Sequence, residues 1–152
     1  MGYTHSWRCQ PDSGWYAAAW PQLFTDTRRI LDAVTAAGSR LAGPDGTGAP
    51  WLDPDGGVAF NGVVDQACDA FHLDSPGPGR RQWRFCKTNA EPYDLAVTAV
   101  LLRAHLLLPS TFRIGSEGSW DGDWGPARDL VWRLFRLAVL ADPLVDTTEG
   151  MF

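Results

Sequence analysis

The stretch WRFCKTNAEPYD, residues 83–94, decides the fold. Its first half alternates, with Trp83, Phe85 and Lys87 on one side and Arg84, Cys86 and Thr88 on the other. That period of two is the signature of a β-strand. In its second half, Pro92 stands where a helix opens and Asp94 lies in the first turn, where a negative charge complements the exposed amides. A strand running directly into a helix is therefore predicted. The helix continues to about Leu108, where Pro109 stops it. Leu95, Val97, Val100, Leu101, Leu102 and Leu106 cover most of its circumference, so it should be buried on several sides.

Outward from this stretch, the N-terminal segment Gly2 to Cys9 also alternates, with Tyr3, His5 and Trp7 facing opposite to Thr4, Ser6 and Arg8. Pro21 opens an amphipathic helix with Leu23, Phe24, Ile30, Leu31 and Val34 inward, while Asp26, Arg29 and Asp32 face water. Residues 39–80 are rich in turns, and Asp53-Pro54-Asp55-Gly56-Gly57 joins Trp51-Leu52 to Val58–Asn61 as a hairpin. Phe71–Leu73 and Thr111–Ile114 read as further short strands. Pro126 opens the last helix, capped by Asp123, with Ala127, Leu130, Val131, Leu134, Leu137 and Ala138 inward. This order predicts a single α+β domain over residues 1–143, with a mixed or antiparallel sheet and helices mainly on one face. The first six elements fit a ferredoxin-like βαββαβ core with a C-terminal helix added. Residues 144–152 read as a loose tail.

Composition narrows the function classes. The chain has 152 residues, 45% hydrophobic, with eight tryptophans, which is enough apolar area for a real core. A net charge of −5 argues against binding to a nucleic-acid backbone. Three cysteines without paired spacing predict reduced thiols, neither a disulfide framework nor a zinc site. The apolar run Leu95 to Leu108 is broken by Thr98, Arg103 and His105 and is too short to span a bilayer, and the N-terminus lacks the apolar core of a signal peptide. A cytoplasmic protein without membrane contact is expected. The acid-rich segment Ser116–Asp123 lacks the spacing of a calcium loop, and no phosphate-loop, dinucleotide, metalloprotease or hydrolase motif occurs. Neither a metal nor a cofactor is expected.

The strand-to-helix junction is the candidate site. A helix N-terminus favours anions, and Lys87, Thr88 and Asn89 would add donors for an anionic small molecule. Cys86 is a candidate nucleophile near that terminus. Alternation sends Cys86 and Lys87 to opposite faces, so only one of them faces the site. His5 is a candidate general base, with Tyr93 and Asp94 as orienting groups. His105 shares a helical stripe with Asp94, but three turns of helix separate them by about 16 Å, so the two cannot pair.

GYTHSW at residues 2–7 and FCKTNAEPYDLAVTAVLL at residues 85–102 carry a resemblance. The chain resembles an uncharacterised family of short bacterial and phage proteins with GYTH-x-W at the N-terminus and an FCKT-x-x-x-PYD motif. The similarity covers most of the length, including Phe60-Asn61-Gly62 and the region around Gly118. Where the family is aromatic, this chain has Ser6, and where the family is basic it has Asn89-Ala90-Glu91. The resemblance implies a shared fold and no activity.

Two functions are therefore open. One is a small enzyme or ligand-binding protein with its anion-accepting site at residues 86–94. The other is a non-catalytic interaction or phage-type accessory module that meets a protein partner through exposed tryptophans among Trp15, Trp20, Trp51, Trp120 and Trp124.

Overall fold

A computed structural model describes residues 3–139 and 141–145. Eight strands and three helices follow one another in the order β1 (Thr4–Arg8), α1 (Gly14–Ala36), β2 (Leu41–Ala42), β3 (Trp51–Asp53), β4 (Gly57–Gly62), β5 (Phe71–Leu73), β6 (Trp83–Lys87), α2 (Asp94–Leu107), β7 (Arg113–Ser116), α3 (Gly125–Phe135) and β8 (Leu144–Val145). A single 3-10 turn, Val64–Gln66, lies between β4 and β5. The fold is α+β, as the order of elements predicts.

The strands form two sheets. The first has the order β6-β1-β7-β8, and β1 is antiparallel to both β6 and β7. A ferredoxin-like core likewise flanks its first strand with two antiparallel neighbours, here β6 and β7, but it seats a second strand beside β6, and among the described residues no strand of this sheet takes that place. The insertion between α1 and β6 builds its own sheet instead, in which β4 pairs with β2, β3 and β5. Residues 144 and 145, read as part of a loose tail, add β8 in parallel beside β7, while 146–152 lie outside the described residues.

Parity within the first sheet sets everything that follows. His5 and Trp7 pair with Cys86 and Arg84 and, on the other side, with Ser116 and Ile114, so these six side chains share the inner face. Thr4, Ser6 and Arg8 pair with Lys87, Phe85 and Trp83, which share the outer face. The inner face is covered by α2, which lies between α1 and α3 and buries every residue from Ala96 to Ala104.

Helix α1 begins at Gly14, about two turns before Pro21, because the Ser13 hydroxyl accepts the Tyr16 N–H and starts the helix there. Pro21 then sits inside, and the carbonyl it leaves without a partner belongs to Ala17, on the exposed side. Asp26 does not face water: it is 1% exposed and pairs at 2.8 Å with Arg103 from α2. Gln22 Nε2 donates to its other oxygen, and the Arg103 guanidinium lies over the Phe135 ring at 4.5 Å. A long apolar-stemmed arginine reaching across from α2 thus draws an aspartate into the core, which helical periodicity alone cannot foretell.

Helix α3 ends earlier than the pattern predicts. Arg136 takes a left-handed conformation (φ 57) after Phe135, so Leu137 and Ala138 lie beyond the helix and are exposed. Nor does Asp123 cap it. The Asp123 carboxylate accepts the Ser119 N–H and hydroxyl and closes the preceding turn, while Trp124 occupies the cap position without a side-chain bond to the helix backbone.

Candidate functional site

Tyr93 and Asp94 start α2 two residues after the position expected for Pro92, because Asn89 and Ala90 are both left-handed (φ 53 and 56) and turn the chain sharply between β6 and the helix. That turn uses up the junction amides. Thr88 and Asn89 donate to the Tyr3 carbonyl, Ala90 to the Thr88 hydroxyl, and Glu91 to the Thr88 carbonyl. An anion would find these four N–H groups already engaged.

The side chains expected to act there divide into three groups. His5, Thr88 and Asp94 meet. The His5 ring is fully buried, with Nε2 at 2.6 Å from Asp94 Oδ1, and the Thr88 hydroxyl donates to the same oxygen at 2.5 Å. Cys86 and Tyr93 form a second group with Asp69: the thiol donates to the Asp69 carbonyl at 3.4 Å, and the Tyr93 hydroxyl to the same carbonyl at 2.7 Å. Burial pushes the Cys86 thiol far above its usual value, and nearby Asp69 adds to this, so it remains a protonated, inert thiol. Burial also raises Tyr93. Lys87 and Asn89 make the third group. Both are exposed, and Lys87 pairs with Thr4 on the face opposite His5.

The polar partner missed in the sequence is Ser116. Its hydroxyl lies 2.8 Å from His5 Nδ1 and accepts the Trp124 indole N–H at 3.0 Å and the Gly118 N–H at 2.9 Å. Two lone pairs are thereby filled, so the hydroxyl proton goes to His5 Nδ1, and Nε2 carries the hydrogen donated to Asp94. The order Ser116–His5–Asp94 superficially matches a nucleophile, base and orienting acid. A nucleophilic serine, however, needs a free lone pair, and both lone pairs of Ser116 are filled. The signal that could have found it is parity: extending the β7 alternation two residues past Ile114 places Ser116 inward, opposite His5. Around this network Tyr3 and Trp124 set their rings edge-on to the imidazole at 5.0 and 5.4 Å. A Cβ on Gly118 would overlap the Tyr3 hydroxyl, so glycine is required there. Burial raises the Tyr3 phenol, as do Asp94, Asp123 and Glu117, so the surroundings of this network are acidic.

His105 donates from Nδ1 to the Phe112 carbonyl at 2.8 Å and ties the end of α2 to the start of β7. Asn61, in the Phe60-Asn61-Gly62 stretch, is buried with all its capacity used: Oδ1 accepts from Cys68 and Gly62, and Nδ2 donates to the Pro44 and Cys68 carbonyls. Both are structural.

The tryptophans split. Trp20, Trp120 and Trp124 are buried, whereas Trp15 and Trp51 are exposed on separate elements. A more concentrated aromatic surface lies on β6, the outer strand of its sheet. Trp83 is 43% and Phe85 53% exposed, with ring centroids 5.2 Å apart. Lys87 follows them on the same face, and Arg81 precedes them. A hollow of about 240 Å³ beside the pair is lined by Asp69, His72, Arg81 and Arg84. Burial lowers the His72 imidazole from its usual value, and Arg84 reinforces this. Arg84 itself is held by two hydrogen bonds to Asp74.

Among the described residues, no group of three or more His, Cys, Asp or Glu side chains is placed to hold a metal ion, and no helix is long and apolar enough to cross a membrane. Comparison with family models, with curated proteins and with solved structures finds no match to this chain.

Proposed function

We propose that this protein is a non-catalytic binding module whose contact surface is the outer face of the first sheet. One observation carries the reading: Trp83 and Phe85 stand side by side and half-exposed on an outer strand, between Arg81 and Lys87. Large aromatic side chains held in water by a rigid sheet carry a standing hydration cost of roughly 25 cal/mol per Å² that a partner would relieve. Aromatic and arginine side chains also dominate the energetics of contact surfaces. The reading of an enzyme with an anion-accepting junction has less support, since the junction amides are engaged, Asp94 places a carboxylate at the helix start and Lys87 lies on the opposite face.

The test is a binding screen of the whole chain against a peptide array and against oligonucleotide pools. Trp83→Ala combined with Phe85→Ala should remove binding, while Trp51→Ala, which deletes a more exposed tryptophan on the second sheet, should leave it intact. If every ligand retained by the wild type is retained by the double variant, the reading is wrong.

A further inference from the structure

The hollow of about 240 Å³ beside β6 runs along the edge of that strand rather than over either face. Successive residues of a strand point to opposite faces, so a cavity lined by Trp83, Arg84 and Phe85 together has to lie at the edge. Its other bank is Asp69 and Ala70, which lead into β5, and His72 within it. The two banks begin to pair as strands do and then part. Asp69 donates its N–H to the Lys87 carbonyl at 2.9 Å, and its carboxylate accepts the Lys87 N–H at 3.0 Å. On the other side, Thr88 donates to the Tyr3 carbonyl and Gln82 accepts from Cys9. Even-numbered residues here thus turn their backbone groups to β1, and odd-numbered ones turn theirs outward. Phe85 is the next outward residue after Lys87, and neither its N–H nor its carbonyl has a partner among the described residues. A donor and an acceptor with the spacing of a sheet ladder therefore open onto the slot.

The side chains around this backbone select charge. Arg84 donates from Nε and Nη2 to the two oxygens of Asp74, at 2.8 and 2.9 Å, which fixes the guanidinium and leaves its other N–H groups for a further acceptor. Arg81 is exposed and makes no hydrogen bond or ion pair with any described residue. His72 is half-buried and also without a hydrogen bond. Burial and then Arg84 lower its imidazole against the opposing pull of Asp74, and Arg81 adds to the lowering, so the ring is neutral at pH 7 with one N–H to donate. Among the charged groups that line the slot or close its end, Arg81, Arg84 and Lys87 outnumber Asp69 and Asp74, in a chain whose net charge is −5.

Resting on the reading of the surface around Phe85 as the contact surface, we infer that the partner is an extended polypeptide segment that adds to the edge of β6 at Phe85 and seats an aspartate or glutamate side chain in the slot. Its backbone exchanges hydrogen bonds with the Phe85 N–H and carbonyl, which is how a strand edge recognises another chain. The residue opposite Phe85 sends its side chain to the outer face, beside the Phe85 ring, and the residues next to it point to the side of Arg84. The acid therefore belongs one position away from the residue that pairs with Phe85. There its carboxylate accepts from Arg84, with Arg81 and His72 lining the same space. A small anion would use the cations but leave the Phe85 donor and acceptor unmatched, which favours a polypeptide.

The experiment exposes the whole chain to an array of randomised heptapeptides, and the tightest binders are resynthesised with a fluorescent label for anisotropy. Retained sequences should be enriched in Asp and Glu, and changing the acid to its amide should weaken binding about tenfold or more. N-methylation of one of the two residues flanking the acid should weaken it to a similar degree, because it removes the N–H that the Phe85 carbonyl accepts. Arg81→Gln, at an exposed position, should weaken the acidic peptide and leave its amide counterpart unchanged. Hydrogen exchange at the Phe85 amide should slow about tenfold on binding, while the Arg84 amide, already turned to β1, should not change. The inference is overturned if no peptide is retained, if the retained sequences are not acidic, if acid and amide forms bind alike, or if Phe85 exchange is unaffected. Peptides without acidic preference, or oligonucleotides alone, retained by the wild type and lost by the double aromatic variant would leave the contact surface standing and remove this partner. A double variant that matches the wild type with every ligand would remove both.

Discussion

Substituting Ser116 by alanine tests whether the His5 network is a structural clamp. The hydroxyl serves three groups at once: it accepts from the Trp124 indole and the Gly118 amide and donates to His5 Nδ1. Trp124 and His5 are both at 0% exposure. Each stranded buried polar group costs about 1–3 kcal/mol, so three of them near the lower limit give about 3–5 kcal/mol. For a chain of this size, each kcal/mol lowers Tm by about 2–4 °C, which places the Ser116→Ala midpoint about 10–15 °C below wild type. Urea unfolding followed by tryptophan fluorescence gives the free energy by linear extrapolation. Ser119→Ala, in the exposed turn three residues on, serves as the control and should cost less than about 1 kcal/mol. A loss below about 1 kcal/mol for Ser116→Ala, with an unchanged far-ultraviolet spectrum, would refute the bond assignments and reopen Ser116 as a group free to react.

Other outcomes follow from the same packing. Arg103→Met leaves the Asp26 carboxylate buried without its cation and should cost about 3–5 kcal/mol in urea unfolding, whereas Arg103→Met with Asp26→Leu should recover most of that loss. Burial pushes the Cys9 thiol up to about 12, with Asp74 adding to the effect, and raises Cys86 further still. Ellman's reagent at pH 8 should therefore label only the half-buried Cys68 quickly in the folded chain, and all three thiols in denaturant. His72 has its folded pKa lowered below the ordinary 6.5, so the stability linked to it is complete above pH 6.5 and declines as the pH falls towards the folded value. Thermal melts between pH 7.5 and 5 should show that decline in wild type and a shallower one in His72→Gln.

The strands of the first sheet were legible because alternation survives without knowledge of partners. Tyr3, His5 and Trp7 against Thr4, Ser6 and Arg8, and Trp83, Phe85 and Lys87 against Arg84 and Cys86, are the two faces that the pairing displays. The hairpin over Trp51–Asn61 was legible from its turn residues, and α2 from its apolar circumference. What stayed hidden depended on distant neighbours. Nothing local in Asp26 reveals that Arg103, 77 residues away, will bury it. Pro21 reads as a helix start until Ser13 is recognised as the earlier cap. The candidate site divided for a related reason. Residue order brings Cys86, Lys87 and Asp94 close along the chain, but the pleat and the left-handed turn at Asn89-Ala90 distribute them among different surroundings.

The central position of β1 also shapes how the molecule is made. His5 finds Ser116 across 111 residues, and its other neighbour, β6, begins only at Trp83. At about 5–20 residues per second of synthesis, β1 waits roughly 5–20 s before both its edges can be covered. During that interval Tyr3, His5 and Trp7 form an uncovered face, and the unpaired backbone edges beside it are of the kind that recruits other chains. The small polar residues Thr4 and Ser6 and the cation Arg8, alternating with them, give the nascent segment solubility on its other side. The residues that leave the finished sheet with a hydrophilic floor around its aromatic pair thus also guard the newborn chain against premature association.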